Sequence, residues 1–270
     1  MESMERIIDN DYTKLCTAEE IGKPVLKCEI CGKEKMYGRI HMCGKNIDIP
    51  VLMCDCAKKA QEEWEEQERK KKIKRNLDWL KANSHLPKTE KTFEEWVHTE
   101  ATEECYKAYR SFVENYYKGS HGMLVYGDCG CGKSHLSIAL ATELAKQGVR
   151  TIYKNVPELF EDIYESFSGN GISASEIIRP ITESSVVILD DLGAEKPTEF
   201  VRSKLYYIIN SLYNSEATLI VTSNITKISD LKSIIGARSY DRILEMCKFV
   251  HNTGTSYRVN IALERESAHR

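Results

Sequence analysis

The sequence predicts an α/β fold: a parallel sheet flanked by helices, preceded by a small cysteine-bearing domain. Three observations predict it. An apolar strand at 123–126 runs into a glycine-rich loop and then a helix. Two further apolar runs, 186–189 and 218–222, end in Asp190-Asp191 and Ser223-Asn224. Buried parallel strands read this way, and open sheets bind ligands at such strand ends. Finally, five of the ten cysteines crowd between Cys28 and Cys56.

A chain of 270 residues holds one full α/β domain and a smaller appendage. The boundary is read at the end of a charged stretch, giving domains 1–83 and 84–270. The 41% hydrophobic and 29% charged composition is that of a soluble globular protein. A net charge of −3 gives no overall pull towards nucleic acid, so such contacts must come from local patches. No apolar run approaches the ~20 residues of a membrane span, and the acidic N-terminus leads into no signal-like apolar segment. A cytoplasmic, reducing setting is expected, where clustered cysteines read as metal ligands before disulfides.

In chain order, residues 1–27 read as a helical lead. Cys28-Glu29-Ile30-Cys31 has zinc-knuckle spacing, with Gly32 suited to the tight turn. Cys28, Cys31, Cys54 and Cys56 are assigned to one structural Zn²⁺, with Cys43 and His41 in reserve. Residues 57–83 lack Gly and Pro and carry Glu first, then Lys and Arg. They predict a solvated connector helix with pairs such as Glu66–Lys70 and Glu68–Lys72, in preference to a nucleic-acid patch. Ser84-His85-Leu86-Pro87 ends it. A helix follows at 103–117. The helix at 133–147 has a Leu136, Leu140, Leu144 stripe and Gly148 at its C-terminus. Then come a strand at 149–153, a helix capped by Asn155 with Pro157 in its first turn, a loop at 168–173 and a short helix at 175–181. Beyond strand 186–189, Thr198 caps a helix to 213. Strand 218–222, helices 229–235 and 238–246, and strands 248–251 and 257–262 complete the chain.

The loop from Gly127 to Ser134 has the spacing G-x-x-x-x-G-K-S of a phosphate-binding P-loop. Gly127, Gly130 and Gly132 permit a close backbone approach. The N–H groups of the loop and helix start, including those of Asp128, Cys129, Cys131 and His135, can then face phosphate oxygens. Lys133 supplies charge for the β- and γ-phosphates of ATP, and Ser134 a hydroxyl for Mg²⁺. Asp190 is placed to hold the same Mg²⁺, Asp191 to orient an attacking water, and Asn224 to bond that water or the γ-phosphate.

Over residues 85–262 the chain resembles the AAA+ ATPases of the DnaC/DnaI helicase-loader family and their IstB transposition-helper relatives. The matching stretches include the P-loop, Val156-Pro157-Glu158-Leu159, Leu189-Asp190-Asp191-Leu192-Gly193-Ala194-Glu195, Thr222-Ser223-Asn224 and Ser256-Tyr257-Arg258. The resemblance implies a parallel sheet of order 5-1-4-3-2 with a reduced lid. It implies that Asn224 is sensor 1, Arg258 sensor 2, and Arg242 the arginine finger, with Arg238 in reserve. It also implies slow ATP hydrolysis to ADP and phosphate, single-stranded DNA held by the ATPase domain, and self-association through that domain. The N-terminal domain would grip a hexameric replicative helicase. A transposition helper that binds duplex DNA and recruits a transposase is the alternative. A small-molecule kinase would need an acceptor pocket and an arginine-rich lid, which the sequence does not offer.

Overall fold

The computed structural model describes residues 14–42, 45–51, 54–168 and 172–254, with 256, 257 and 259. The chain divides into two compact units, Met1–Lys71 and Lys72–Arg270.

In the first unit β1 (Lys14–Cys16), β2 (Met36–Met42) and β3 (Lys45–Val51) form an antiparallel sheet in the order β1-β2-β3. Arg39 and Asp48 face each other across β2 and β3, with Nε 2.7 Å from Oδ1. The buried Tyr37 donates its hydroxyl to the Pro24 carbonyl at 2.8 Å. The helical lead read over 1–27 is therefore not a helix where described. From Lys14 onward it holds β1 and one 3₁₀ turn, Glu19–Ile21. Pairing with β2 satisfies the backbone there and overrides a weak local helix preference.

Helix α1 (Asp55–Asn83) starts in this unit and ends in the second. Its early turns carry the expected Glu66–Lys70 pair, with Arg69 also on Glu66, and Glu68 pairs with Lys71. Its last turns are different: Leu80 is buried among residues of the second core, and Trp79 stacks under Arg150 and donates to Ser184. The compact units thus divide within α1, ahead of the 83/84 boundary read from composition.

The second unit is built on β4 (Gly122–Tyr126), β5 (Thr151–Asn155), β6 (Val186–Asp190), β7 (Thr218–Ser223) and β8 (Cys247–His251). All pairings are parallel, in the order β5-β6-β7-β4-β8. Counted from the P-loop strand, this is the expected 5-1-4-3-2 read from the opposite edge. Period-two alternation gives β4, β5, β6 and β7 two buried faces, whereas the edge strand β8 is largely exposed. Leu124, Ile152, Leu189 and Val221 lie on one face, under α4 (Val156–Glu165), α5 (Ala174–Thr182), α6 (Glu199–Asn214), α7 (Ile228–Ile235) and α8 (Ala237–Met246). Val125, Tyr153, Ile188 and Ile220 lie on the other, under α2 (Glu100–Asn115), α3 (Lys133–Lys146) and the end of α1.

The helix starts obey the sequence signals. Asn155 accepts from Glu158 N–H, Thr198 from Val201 N–H, and Ser173 and Glu176 form a capping box. Each such cap contributes about 1 kcal/mol. β5 begins later than the expected 149–153. Gly148 and Val149 are taken up in ending α3, with N–H bonds to the Ala145 and Leu144 carbonyls. The last expected strand, 257–262, is not formed by its described residues, because Tyr257 and Val259 are helical. Among the described residues no helix is long and apolar enough to cross a membrane.

Candidate active site

β4 delivers the chain to the loop, and α3 carries it away. Gly127, Gly130 and Gly132 take φ of 142°, 81° and 86°, a region that side chains disfavour. Space is denied as well. A Cβ at Gly127 would run into the Asn252 carbonyl, one at Gly130 into the Ser256 hydroxyl, and one at Gly132 into the Trp96 ring. The loop is further tied to the segment after β8: Asn252 Nδ2 donates to the Cys131 carbonyl, and Tyr257 N–H to the Gly130 carbonyl.

Lys133 is only 4% exposed, and its Nζ is turned back into the loop. It donates to the carbonyls of Gly127 (2.9 Å) and Asp128 (2.7 Å). Cys131 is buried and donates its thiol to the same Asp128 carbonyl, whereas Cys129 is exposed. His135 points away from the loop interior, with Nε2 donating to the Thr92 carbonyl and its ring set edge-on to Trp96. Trp96 Nε1 is buried with no hydrogen-bond partner.

The acids stand at the C-terminal ends of β6 and β7. Asp190 is 1% exposed. Its Oδ1 accepts from Thr222 Oγ1 and its Oδ2 from the Tyr153 hydroxyl, each at 2.6 Å. Burial pushes its carboxyl above the usual carboxylate range, opposed by hydrogen bonds from Thr222, Tyr153 and Ser134. Asp191 has φ of 58°, and its N–H donates to Thr222 Oγ1. Its Oδ1 accepts from Asn224 Nδ2 at 3.0 Å. Ser134 and Asp190 are thus together, and so are Asp191 and Asn224. Thr222, Tyr153, Trp96 and Asn252 were missed from sequence. Strand parity could have found Thr222, which lies two positions along from Ile220 on the α3 side of the sheet.

Arg242 lies on α8, 3.7 Å from the Tyr213 ring centroid and 3.3 Å from Glu245 Oε2. Arg238 lies over Tyr206. Both line a groove of about 350 Å³ with Tyr206, Asp241 and Glu245. Arg258 lies outside the described residues, as does Cys43.

In the first unit the Sγ atoms of Cys28, Cys31, Cys54 and Cys56 lie within 4.8 Å of one another. Gly32, at φ 71°, makes the turn, and its N–H donates to the Cys28 carbonyl. The backbone amides of Cys31 and then Ile30 draw the Cys28 thiol down to about 7. Cys54 and Cys56 sit at the start of α1. His41 bonds Asn46 instead. Four converging sulfurs suit a tetrahedral zinc site.

Comparison with known proteins agrees with this geometry. Residues 58–265 match the family described as IstB-like ATP binding protein. The chain is 24% identical over 209 residues to the replicative helicase loader DnaI of Bacillus subtilis, covering 74% of this chain and 64% of that one. It is 20% identical over 134 residues to the replicative helicase loader DnaC of Escherichia coli, covering 50% and 54%. The chain therefore spans less than two thirds of either relative's length. A crystal structure of the DnaC helicase loader superposes with a TM-score of 0.54 at 24% identity, over 60% of this chain and 96% of that one. That likeness shows a shared AAA+ fold. With three quarters of its length matched by the family and its sheet in the AAA+ order, this chain belongs to the IstB-like ATP binding proteins.

Proposed function

We propose that this protein is an ATP-switched loader that delivers a hexameric replicative helicase onto single-stranded DNA. The observation that carries the reading is one constellation at the C-terminal edge of the sheet. Lys133 and Ser134 stand on the P-loop, Asp190 beside Ser134, and Asp191 bonded to Asn224. A loop whose glycines leave no room for Cβ atoms fits phosphate, and the unpartnered Trp96 donor beside it fits a polar atom of the rest of the nucleotide. Mg²⁺, when bound, would offset phosphate charge, and Ser134 and Asp190 are the residues that would hold it. In this reading Lys133 leaves its two carbonyls to meet phosphate. Asp191, held by Asn224, orients a water towards the γ-phosphorus.

The names of the relatives support the loader over the transposition helper, and so does the four-cysteine cluster, which suits a separate gripping domain. An exposed aromatic cluster on the second unit supports binding of single-stranded DNA. Tyr164 and the 62%-exposed Phe167 pack on Phe200 at 5.3 and 5.7 Å between ring centroids, with Lys204 near the same ring. Exposed rings beside a cation are what stacked bases require. The test is assembly. Purified protein mixed with a replicative helicase should form a complex whose stability changes with ATP. Binding to a transposase and duplex DNA, with no helicase complex, would reverse the choice.

Self-association supplies a second test. Arg242 is held on its own chain by Tyr213 and Glu245 and is far along the sequence from Lys133. We read it as a finger released towards the γ-phosphate of a neighbouring copy. Arg242→Ala should bind ATP normally and hydrolyse it about 10³-fold more slowly. Mixed with Lys133→Ala subunits in the presence of single-stranded DNA, it should regain part of its activity. No recovery in confirmed mixed assemblies would leave Arg242 as a surface ion pair.

A further inference from the structure

Asp190 is gripped from both sides of its strand. Thr222, on β7, bonds one carboxylate oxygen, and Tyr153, on β5, bonds the other. Parity brings the three together. Asp190 and Ile188 alternate onto one face of β6, Tyr153 pairs with Ile188 in register, and Thr222 follows Ile220 on that face. The Tyr153 ring is long enough to reach two residues along the neighbouring strand, to the carboxylate at its end.

β5 is an edge strand, so the outward-facing backbone of Tyr153 has no strand partner. It is met instead by the chain that follows α1. The Tyr153 N–H donates to Ser84 Oγ at 2.9 Å, and the His85 N–H donates to the Tyr153 carbonyl at 3.1 Å. Both main-chain groups of Tyr153 and its hydroxyl are therefore committed, the first two to the segment 84–85 and the third to Asp190.

We propose that Tyr153 is a positioning residue for the cation of the nucleotide site, fixing the Asp190 carboxylate towards Ser134 and itself fixed by Ser84 and His85. The inference rests on the nucleotide reading given above. A carboxylate bonded at one oxygen can swing about its last torsion. Donors on both oxygens, arriving from opposite strands, stop that rotation and leave the remaining lone pairs directed at the loop. A hydroxyl buried merely for packing would need a partner, but it would not need the ligand acid of the site. The 2.6 Å separation is that of a charge-assisted O–H···O⁻ bond.

Tyr153→Phe tests this, because it keeps the ring in the core and removes only the donor. The affinity of a fluorescent ATP analogue is measured in EDTA and across a magnesium titration, and thermal melting is followed alongside. In EDTA the variant should bind like the parent, since the P-loop is untouched. The magnesium concentration at half-effect should rise about tenfold, as expected for one hydrogen bond to a charged group. Ser84→Ala should shift it in the same direction by less, since His85 still holds the strand. Equal losses with and without magnesium would make Tyr153 a packing residue and overturn the proposal. So would a magnesium titration that superposes on the parent's. A parent that binds the analogue but does not respond to magnesium would overturn this inference alone, whereas a parent that binds no analogue would overturn the nucleotide reading, and this inference with it.

Discussion

Lys133→Ala is expected to lower ATP affinity by about 10- to 100-fold. The loop contributes backbone dipoles, but this ammonium is the one full positive charge within it. A hydrogen bond to a charged group is worth about 1.5–3 kcal/mol, and each 1.4 kcal/mol is tenfold in affinity. The structure adds a second effect. Without ligand, Nζ satisfies the carbonyls of Gly127 and Asp128 in a place that is 4% exposed. The alanine variant leaves the Gly127 carbonyl short of a donor, so the free protein should also melt lower. Fluorescence titration checks the first effect and a melting curve the second. Binding equal to the parent's would show that the phosphate site lies elsewhere.

Cys28→Ser should have the largest effect on stability, confined to the first unit. Among its described residues that unit has few buried side chains, and zinc in small domains contributes about 10–16 kcal/mol of folding free energy. Freshly reduced protein should contain about one zinc per chain by elemental analysis. The variant should lose it and become protease-sensitive within residues 1–71, while ATP binding persists. Reduced protein without metal would remove zinc from the description.

The same contrast explains what could be read from sequence. The second unit was legible because β4 to β7 are buried on both faces. Runs such as Val186–Asp190 and Thr218–Ser223 admit one reading, and the helix caps at Asn155 and Thr198 mark the joins. The first unit was less legible. In Met36–Met42 and Lys45–Val51 apolar residues alternate with Arg39, His41, Asn46 and Asp48, so the signal is half as dense. At the candidate site, the residues assigned to nucleotide and metal announced themselves by motif. Those that hold them did not. Tyr153 on an apolar strand looks like core, and Asn252 looks like a loop residue. Their roles depend on partners 37 and 121 positions away. Arg242 was visible as an arginine, but its stacking on the Tyr213 ring was not.

The left-handed backbone of Asp191 bears on which acid can stand there. At φ 58° most side chains are strained by about 1–3 kcal/mol, and aspartate and asparagine are among the few that enter readily. Thr222 and Asn224 lock the conformation, one through the main chain and one through the side chain. Glu216 takes the same region at φ 55°, so the backbone alone does not bar a longer acid. What suits aspartate here is reach: one more methylene would carry the carboxylate past the Asn224 amide that now meets it at 3.0 Å.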